Sequence, residues 1–126
     1  MTAGAASYGD VVAANIRAAR ARIRLSQQGL TDRMRALGFD AWFYQTVGNI
    51  ERGHRRVTAE EIHGLSWALE TTIPVLTGPG PDEDGVVLPS GDVIGAESVR
   101  LLCGRGRNDG AVTWKDDGTV VIQHGT

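Results

Sequence analysis

The chain has 126 residues and a mass of 13.4 kDa, enough for one ordinary domain or a small domain with an appendage. Hydrophobic residues make up 41% of it, which excludes wholesale disorder, and no apolar run approaches the roughly 20 residues that span a bilayer. The net charge of −2 conceals an excess of five positive charges over residues 10–56 and of four negative charges over residues 81–126. The first half is therefore the candidate for contact with an anionic partner, unless its arginines merely solvate helix surfaces.

The first predicted helix begins near Asp10. Met1–Gly9 has neither a basic start nor an apolar stretch, so we expect a flexible N-terminus and no signal peptide. Asp10 can cap a helix. Apolar residues follow at intervals of four, three and four, namely Val12, Ile16, Ala19 and Ile23. This spacing predicts an amphipathic helix.

The second predicted helix begins after Ser26, a residue type that favours the N-cap position. One apolar stripe follows, consisting of Leu30, Met34 and Leu37. Gly38 is the predicted end of the helix, because glycine adopts the left-handed backbone that terminates helices.

A third helix is predicted from Asp40 to about Arg52, ended by Gly53. Its inward residues are predicted to be Phe43, Val47 and Ile50. We expect Trp42 and Phe39 to anchor the long turn before this helix against the helical core.

Two further helices complete the first part of the chain. Thr58 and Glu61 form a capping-box pattern, and the apolar positions that follow are Ile62, Leu65, Ala68 and Leu69. A last short turn is predicted around Ile73–Leu76. Five helices with short connections predict a compact helical domain over residues 10–78.

A glycine- and proline-containing stretch with three acids predicts a linker over residues 79–85. Residues 86–126 then predict a small α+β segment: a hairpin over 86–94, a helix over Ala96–Cys103, a glycine- and arginine-rich loop over 104–110, and a second hairpin over 111–123. The expected fold class is thus mainly α, five helices followed by a hairpin–helix–hairpin segment.

Two sequence motifs carry a family resemblance. They are Leu25-Ser26-Gln27-Gln28 followed by Leu30, and Thr46-Val47-Gly48-Asn49-Ile50-Glu51-Arg52-Gly53. Together they resemble the λ-repressor-like (Xre/Cro-type) helix-turn-helix family, which reads Leu-Ser-Gln-x-x-Leu and x-Ile-x-x-Ile-Glu-x-Gly across its second and third helices. The turn between these helices is longer here, which resembles a variant with an aromatic-anchored loop before helix three.

The resemblance implies double-stranded DNA as the partner and the third helix as the recognition helix. Helical spacing places polar or small residues opposite the apolar side of that helix, where amides can pair with adenine and arginine with guanine. The resemblance also implies phosphate contacts at the start of helix two and in the loop after helix three. The predicted contact residues are Gln27, Tyr44, Gln45, Thr46, Gly48, Asn49, Arg52, Arg55 and Arg56. Glu51 is expected to pair with an arginine of helix one.

We predict no metal, cofactor or catalytic residue. The single Cys103 excludes a multi-cysteine zinc site, and His54, His63 and His124 share no ligand spacing with it. No Ser-His-Asp or Cys-His set has a recognisable context, so an enzyme is a distant third hypothesis.

The expected function is a transcriptional regulator, a repressor that binds a palindromic operator as a homodimer in the cytoplasm, in association with the nucleoid. Apolar residues such as Val86, Ile94 and Trp114 suggest that residues 86–126 supply the dimer contact. Two alternatives remain open. In the first, this segment folds back on Trp67 and extends the monomer. In the second, the chain is an antitoxin-type interaction module whose C-terminal segment binds a partner protein.

Overall fold

A computed structural model of the protein describes residues 6–80, 83–103 and 112–122, and it is mainly helical, as the sequence predicts. The described helices are α1 (Tyr8–Arg22), α2 (Gln27–Ala36), α3 (Thr46–Glu51), α4 (Ala59–Ala68), α5 (Ile73–Thr77) and α6 (Ala96–Cys103). The described strands are β1 (Ala6–Ser7), β2 (Gly85–Val87), β3 (Val93–Gly95), β4 (Val112–Trp114) and β5 (Val120–Ile122). None of these helices combines the length and hydrophobicity needed to cross a membrane.

Most of the predicted helix ends are confirmed. The Ser26 side chain accepts a hydrogen bond from the Gly29 N–H, and Thr58 forms a complete capping box with Glu61. Gly38 and Gly53 follow α2 and α3 with φ of 102° and 78°, a backbone conformation that favours glycine.

The start of α1 differs from the prediction. Ser7 is the N-cap, and its hydroxyl accepts a hydrogen bond from the Asp10 N–H at 3.2 Å. Asp10 therefore lies in the first turn, where its carboxylate complements the helix dipole.

The main core lies between α1 and α5 along the chain. Its largest buried residues are Ile16, Leu30, Met34, Trp42, Val47, Leu65, Leu69 and Leu76. Apolar residues at helical spacing supply this core, as the sequence predicts for α1, α2 and α4.

The segment before α3 is a loop, so the prediction of a helix from Asp40 is wrong. Trp42 is 1% exposed and fills the core, whereas Phe43, predicted to face inward, is 62% exposed. Arg35 donates to the carbonyl oxygens of Asp40 and Trp42, and the Phe43 N–H donates to Thr46 Oγ1 at 3.0 Å. These bonds satisfy the loop backbone without a helix, while Trp42 and Phe39 pack against the core as expected.

A second, smaller hydrophobic core joins the start of the described chain to residues 86–99. Strand β1 pairs in parallel with β2, Ala6 opposite Val86, and β2 pairs with β3 in the predicted antiparallel hairpin. Val11, Val86 and Val99 are buried together beside this sheet. The flexible N-terminus expected up to Gly9 is therefore a strand and a helix start over residues 6–9, because β2 supplies a partner for β1.

The second predicted hairpin, β4–β5, packs against α4. Trp114 Nε1 donates to the Trp67 carbonyl oxygen at 2.6 Å, and the Arg33 guanidinium lies 4.9 Å from the centre of the Trp114 ring. The expected loop at 104–110, residues 1–5 and linker positions 81 and 82 lie outside the described residues.

Candidate functional site

The two sides of α3 differ sharply in burial and chemistry. Val47 and Ile50 are 0% and 3% exposed and attach the helix to the core. Gln45, at the N-cap position, and Arg52, at the C-cap position, are exposed on the surface, and Asn49 is half-buried. The division agrees with the prediction for Val47, Ile50, Gln45 and Arg52, but Phe43 is exposed, and Thr46 and Gly48, both predicted contacts, are buried.

The exposed polar groups of this site are hydrogen-bonded to each other. Gln45 Nε2 donates to the Tyr44 hydroxyl at 3.1 Å, and Arg52 Nη2 donates to Asn49 Oδ1 at 2.8 Å. Such exposed bonds contribute little to folding because water competes for them. Each group can therefore give up its hydrogen bond for one to an external partner at a small cost in free energy.

Two of the predicted contact residues, Thr46 and Gly48, are buried. Thr46 Oγ1 accepts the Phe43 N–H, so this side chain fixes the loop before α3. A Cβ at Gly48 would lie 3.1 Å from Arg52 Nη1 and 3.5 Å from Gln27 Oε1. Gly48 thus faces the side chains of Arg52 and Gln27 within the protein, which differs from the predicted close approach of its backbone to DNA.

Glu51 connects three helical elements, and its predicted pairing with an arginine of helix one is confirmed. Its carboxylate accepts two hydrogen bonds from Arg20, at 2.8 Å and 3.0 Å, and one from Gln27 Nε2 at 3.3 Å. Arg17 Nη2 donates to the Glu51 carbonyl oxygen at 3.1 Å. α1 and the start of α2 are thereby tied to the last residue of α3.

Burial raises the pKa of Glu51, but hydrogen bonds from Arg20 and Gln27 outweigh it and hold that pKa below its ordinary value. The hydrogen bond to Glu51 raises the pKa of Arg20. Arg20 and Glu51 are therefore both charged at neutral pH. Gln27, which is exposed at the start of α2, donates a hydrogen bond to this ion pair.

A second carboxylate, Glu61, engages Arg55, which the resemblance implied as a DNA contact. Arg55 donates to both Glu61 oxygens, at 3.2 Å and 2.7 Å, and its guanidinium lies 5.5 Å from the centre of the Trp42 ring. Trp42 Nε1 donates to Glu61 at 2.7 Å. Arg55 is therefore part of an internal network, because Glu61 would otherwise be a buried carboxylate without a countercharge.

Arg56 has a different environment from its neighbour. It is exposed, and within the described part of the chain no acceptor is recorded for its guanidinium. Of the two predicted loop arginines, Arg56 is thus the one available to an external anion.

The sequence did not indicate the network around Glu61. The capping box predicted its bond with Thr58, but the approach of Arg55 and Trp42 depends on how the loop after α3 and the loop before it meet α4. No local sequence pattern encodes how these two loops pack against α4.

Within the described ranges, no group of three or more histidine, cysteine, aspartate or glutamate side chains is arranged to hold a metal ion. His54 and His63 are exposed, and His124 lies outside the described residues.

In comparisons with known proteins, no protein-family model, no curated protein and no solved structure matches this chain. The features of the chain that bear on its function are therefore the sequence motifs and the geometry of α2, α3 and the loops around them.

Proposed function

We propose that this chain binds double-stranded DNA in a sequence-specific manner and acts as a transcriptional regulator of the λ-repressor-like helix-turn-helix type. The observation that carries the proposal is that α3 has one buried apolar side and one polar side. Val47 and Ile50 attach the helix to the core, and the polar side presents Gln45, Asn49 and Arg52. A recognition helix needs this combination, an apolar side to hold it and amide or guanidinium groups free to meet base edges.

The Glu51 network supports the proposal because it fixes how α3 is presented. Base reading requires side chains held at a defined angle, and Arg20 and Gln27 restrain α3 from two neighbouring elements. Arg17 and Arg52 are exposed cations beside this network, and they would add attraction for phosphate.

The proposed biological action is repression by occupancy of a promoter. One short helix reads few base pairs, so we propose that two copies bind a palindromic operator with half-sites roughly 34 Å apart. Arg56 would contact the phosphate backbone, which positions a protein on DNA without reading its sequence.

Selection of binding sites from random DNA tests the proposal. We expect a defined motif, and Gln45→Ala should weaken binding to it by about 1–3 kcal/mol while relaxing the preference at one base pair. Ser98→Ala, an exposed polar change on α6, is the control and should bind as the parent does. An equal loss of affinity for selected and for random DNA would show that Gln45 contacts the DNA backbone and not a base.

The salt dependence of binding separates phosphate contacts from base contacts. Arg56→Ala should flatten the slope of log affinity against log salt by roughly 0.9, the value for one phosphate contact, whereas Lys115→Ala in the β4–β5 turn should not. A protein that selects no DNA and has no measurable affinity for random duplex would overturn the proposal. Purification of a tightly bound protein partner in that case would favour the interaction-module alternative.

A further inference from the structure

Two aromatic side chains stand on the surface directly before α3. Phe43 is 62% exposed and Tyr44 is 72% exposed, the highest values among the large hydrophobic residues of the described chain. The sequence predicts Phe43 to be buried, so its exposure is a property of the folded loop. Leaving a phenylalanine in water forgoes the stabilisation that burial would give, and together with the adjacent Tyr44 ring it forms an apolar surface that a partner can cover.

The backbone that carries Phe43 is well fixed. Trp42, the preceding residue, is buried and donates to Glu61, while the Phe43 N–H itself donates to Thr46 Oγ1. The Arg35 guanidinium lies 5.9 Å from the centre of the Phe43 ring and Arg35 also donates to the Trp42 carbonyl oxygen. The ring is therefore presented from a defined position at small entropic cost to a binding partner.

The surroundings of the ring indicate the chemistry of that partner. Gln45, whose amide can pair with a base, is two residues away, and residues 10–56 carry an excess of five positive charges. An anionic partner with apolar groups beside hydrogen-bonding edges fits this surface, and the DNA major groove has that character because thymine exposes its 5-methyl group there.

We propose that Phe43 is a specificity determinant that contacts the 5-methyl group of a thymine next to the base pair met by Gln45. The inference depends on the proposed function and adds a base preference to it. Residues at the start of a recognition helix meet base edges, and Phe43 lies just before the start of α3. An aromatic ring gives no hydrogen bond, so its contribution is selectivity for the methyl group itself.

The test uses the full chain and a site obtained by selection, with each thymine replaced in turn by 2′-deoxyuridine, which lacks only the methyl group. For the parent protein we expect one position where the replacement weakens binding by roughly three- to fivefold, as the loss of one buried methyl group predicts. Phe43→Ala should bind the thymine site more weakly and should no longer distinguish thymine from deoxyuridine there. Phe43→Leu, which retains an apolar contact, should keep most of the discrimination.

A matched control is Val93→Ala on β3, which alters a residue 60% exposed in the acidic half and should leave the methyl effect unchanged. Circular dichroism should show that Phe43→Ala is folded, because the ring is on the surface. Full methyl discrimination by Phe43→Ala, or an equal loss of affinity for all DNA, would overturn this inference alone. A parent protein that selects no DNA would overturn the proposed function and this inference together.

Discussion

At the residue scale, Glu51 and Glu61 have the same design in different places. Each carboxylate is almost wholly buried, each accepts two hydrogen bonds from one arginine, and each joins elements that are distant along the chain. Burial raises the pKa of Glu61, but hydrogen bonds from Arg55, the Thr58 backbone and Trp42 outweigh it and lower that pKa, as happens at Glu51.

These lowered pKa values predict how stability depends on pH. A carboxylate whose pKa is lower in the folded chain contributes stability above its ordinary pKa, and this contribution is lost as pH falls below about 5. Glu51→Gln and Glu61→Gln should each lower the free energy of unfolding at pH 7 by roughly 1.5–3 kcal/mol and make it less sensitive to acid. Urea unfolding at a series of pH values measures both effects.

The exposed Glu60, the neighbour of Glu61 on α4, offers the control for that experiment. Glu60→Gln should leave both the free energy of unfolding at pH 7 and its decline in acid close to those of the parent. If the Glu51 and Glu61 variants declined in acid as steeply as the parent, the two networks would not account for the acid sensitivity.

At the scale of elements, the loop before α3 marks the limit of prediction from sequence. The interval between Phe43, Val47 and Ile50 fits a helix, and Asp40 fits a cap, so local patterns predicted a helix five residues longer at its start than α3. Two contacts with α4 decide against it, since Trp42 donates to Glu61 and Phe39 packs over Gly64. Tertiary contacts of this kind override local periodicity. The sequence predicted that Trp42 and Phe39 anchor the loop, but it did not indicate that α4 supplies their partners.

A pair of glycines separates helix propensity from packing at this loop. A Cβ at Gly64 would lie 2.6 Å from the Phe39 ring and 3.0 Å from Met34 Cε, whereas a Cβ at Gly48 meets only the ends of flexible side chains. Both substitutions by alanine gain about 1 kcal/mol of helix propensity. Gly64→Ala should still lose stability, because overpacking costs about 1–3 kcal/mol, while Gly48→Ala should be neutral or stabilising.

Thermal and urea unfolding of the two variants checks this prediction. The Gly64→Ala, Phe39→Leu double variant is informative as well, since a smaller and more flexible side chain at 39 should recover part of the loss. A stabilised Gly64→Ala protein would mean that the aromatic loop is not held by α4.

At the scale of the whole molecule, the sequence predicted both hairpins and α6, but it gave their attachment near Trp67 only as an alternative to a dimer contact. The residues offered as a dimer contact are engaged within the chain: Val86 is buried with Val11, and Trp114 is bonded to the Trp67 carbonyl oxygen. These contacts favour the alternative that the segment extends the monomer, and the dimer contact stays a prediction. Strand β1 has only two residues, too few for a strand pattern, so its pairing could not be anticipated.

The attachment predicts that the two parts of the chain unfold together. Val86→Ala removes two methyl groups from a fully buried site and should lower the free energy of unfolding by roughly 1–3 kcal/mol in a single transition. Tryptophan fluorescence, which reports on Trp42 and Trp67 in the helical part and on Trp114 in β4, and far-ultraviolet circular dichroism should give the same midpoint. Two separate transitions, with only the later part of the chain affected, would show that residues 86–122 form an independent unit.

The parallel pairing of β1 with β2 also has a consequence for biosynthesis. Ala6 pairs with Val86, eighty positions further along, so the ribosome makes one half of this ladder long before the other. At elongation rates of about 5–20 residues per second, the delay is on the order of 4–16 seconds. The helices from α1 to α5 can assemble during that interval. Val11 is not yet covered by Val86 of β2 at this stage. The pairing of β1 with β2 therefore forms only after the segment that contains α1 to α5 has been synthesised.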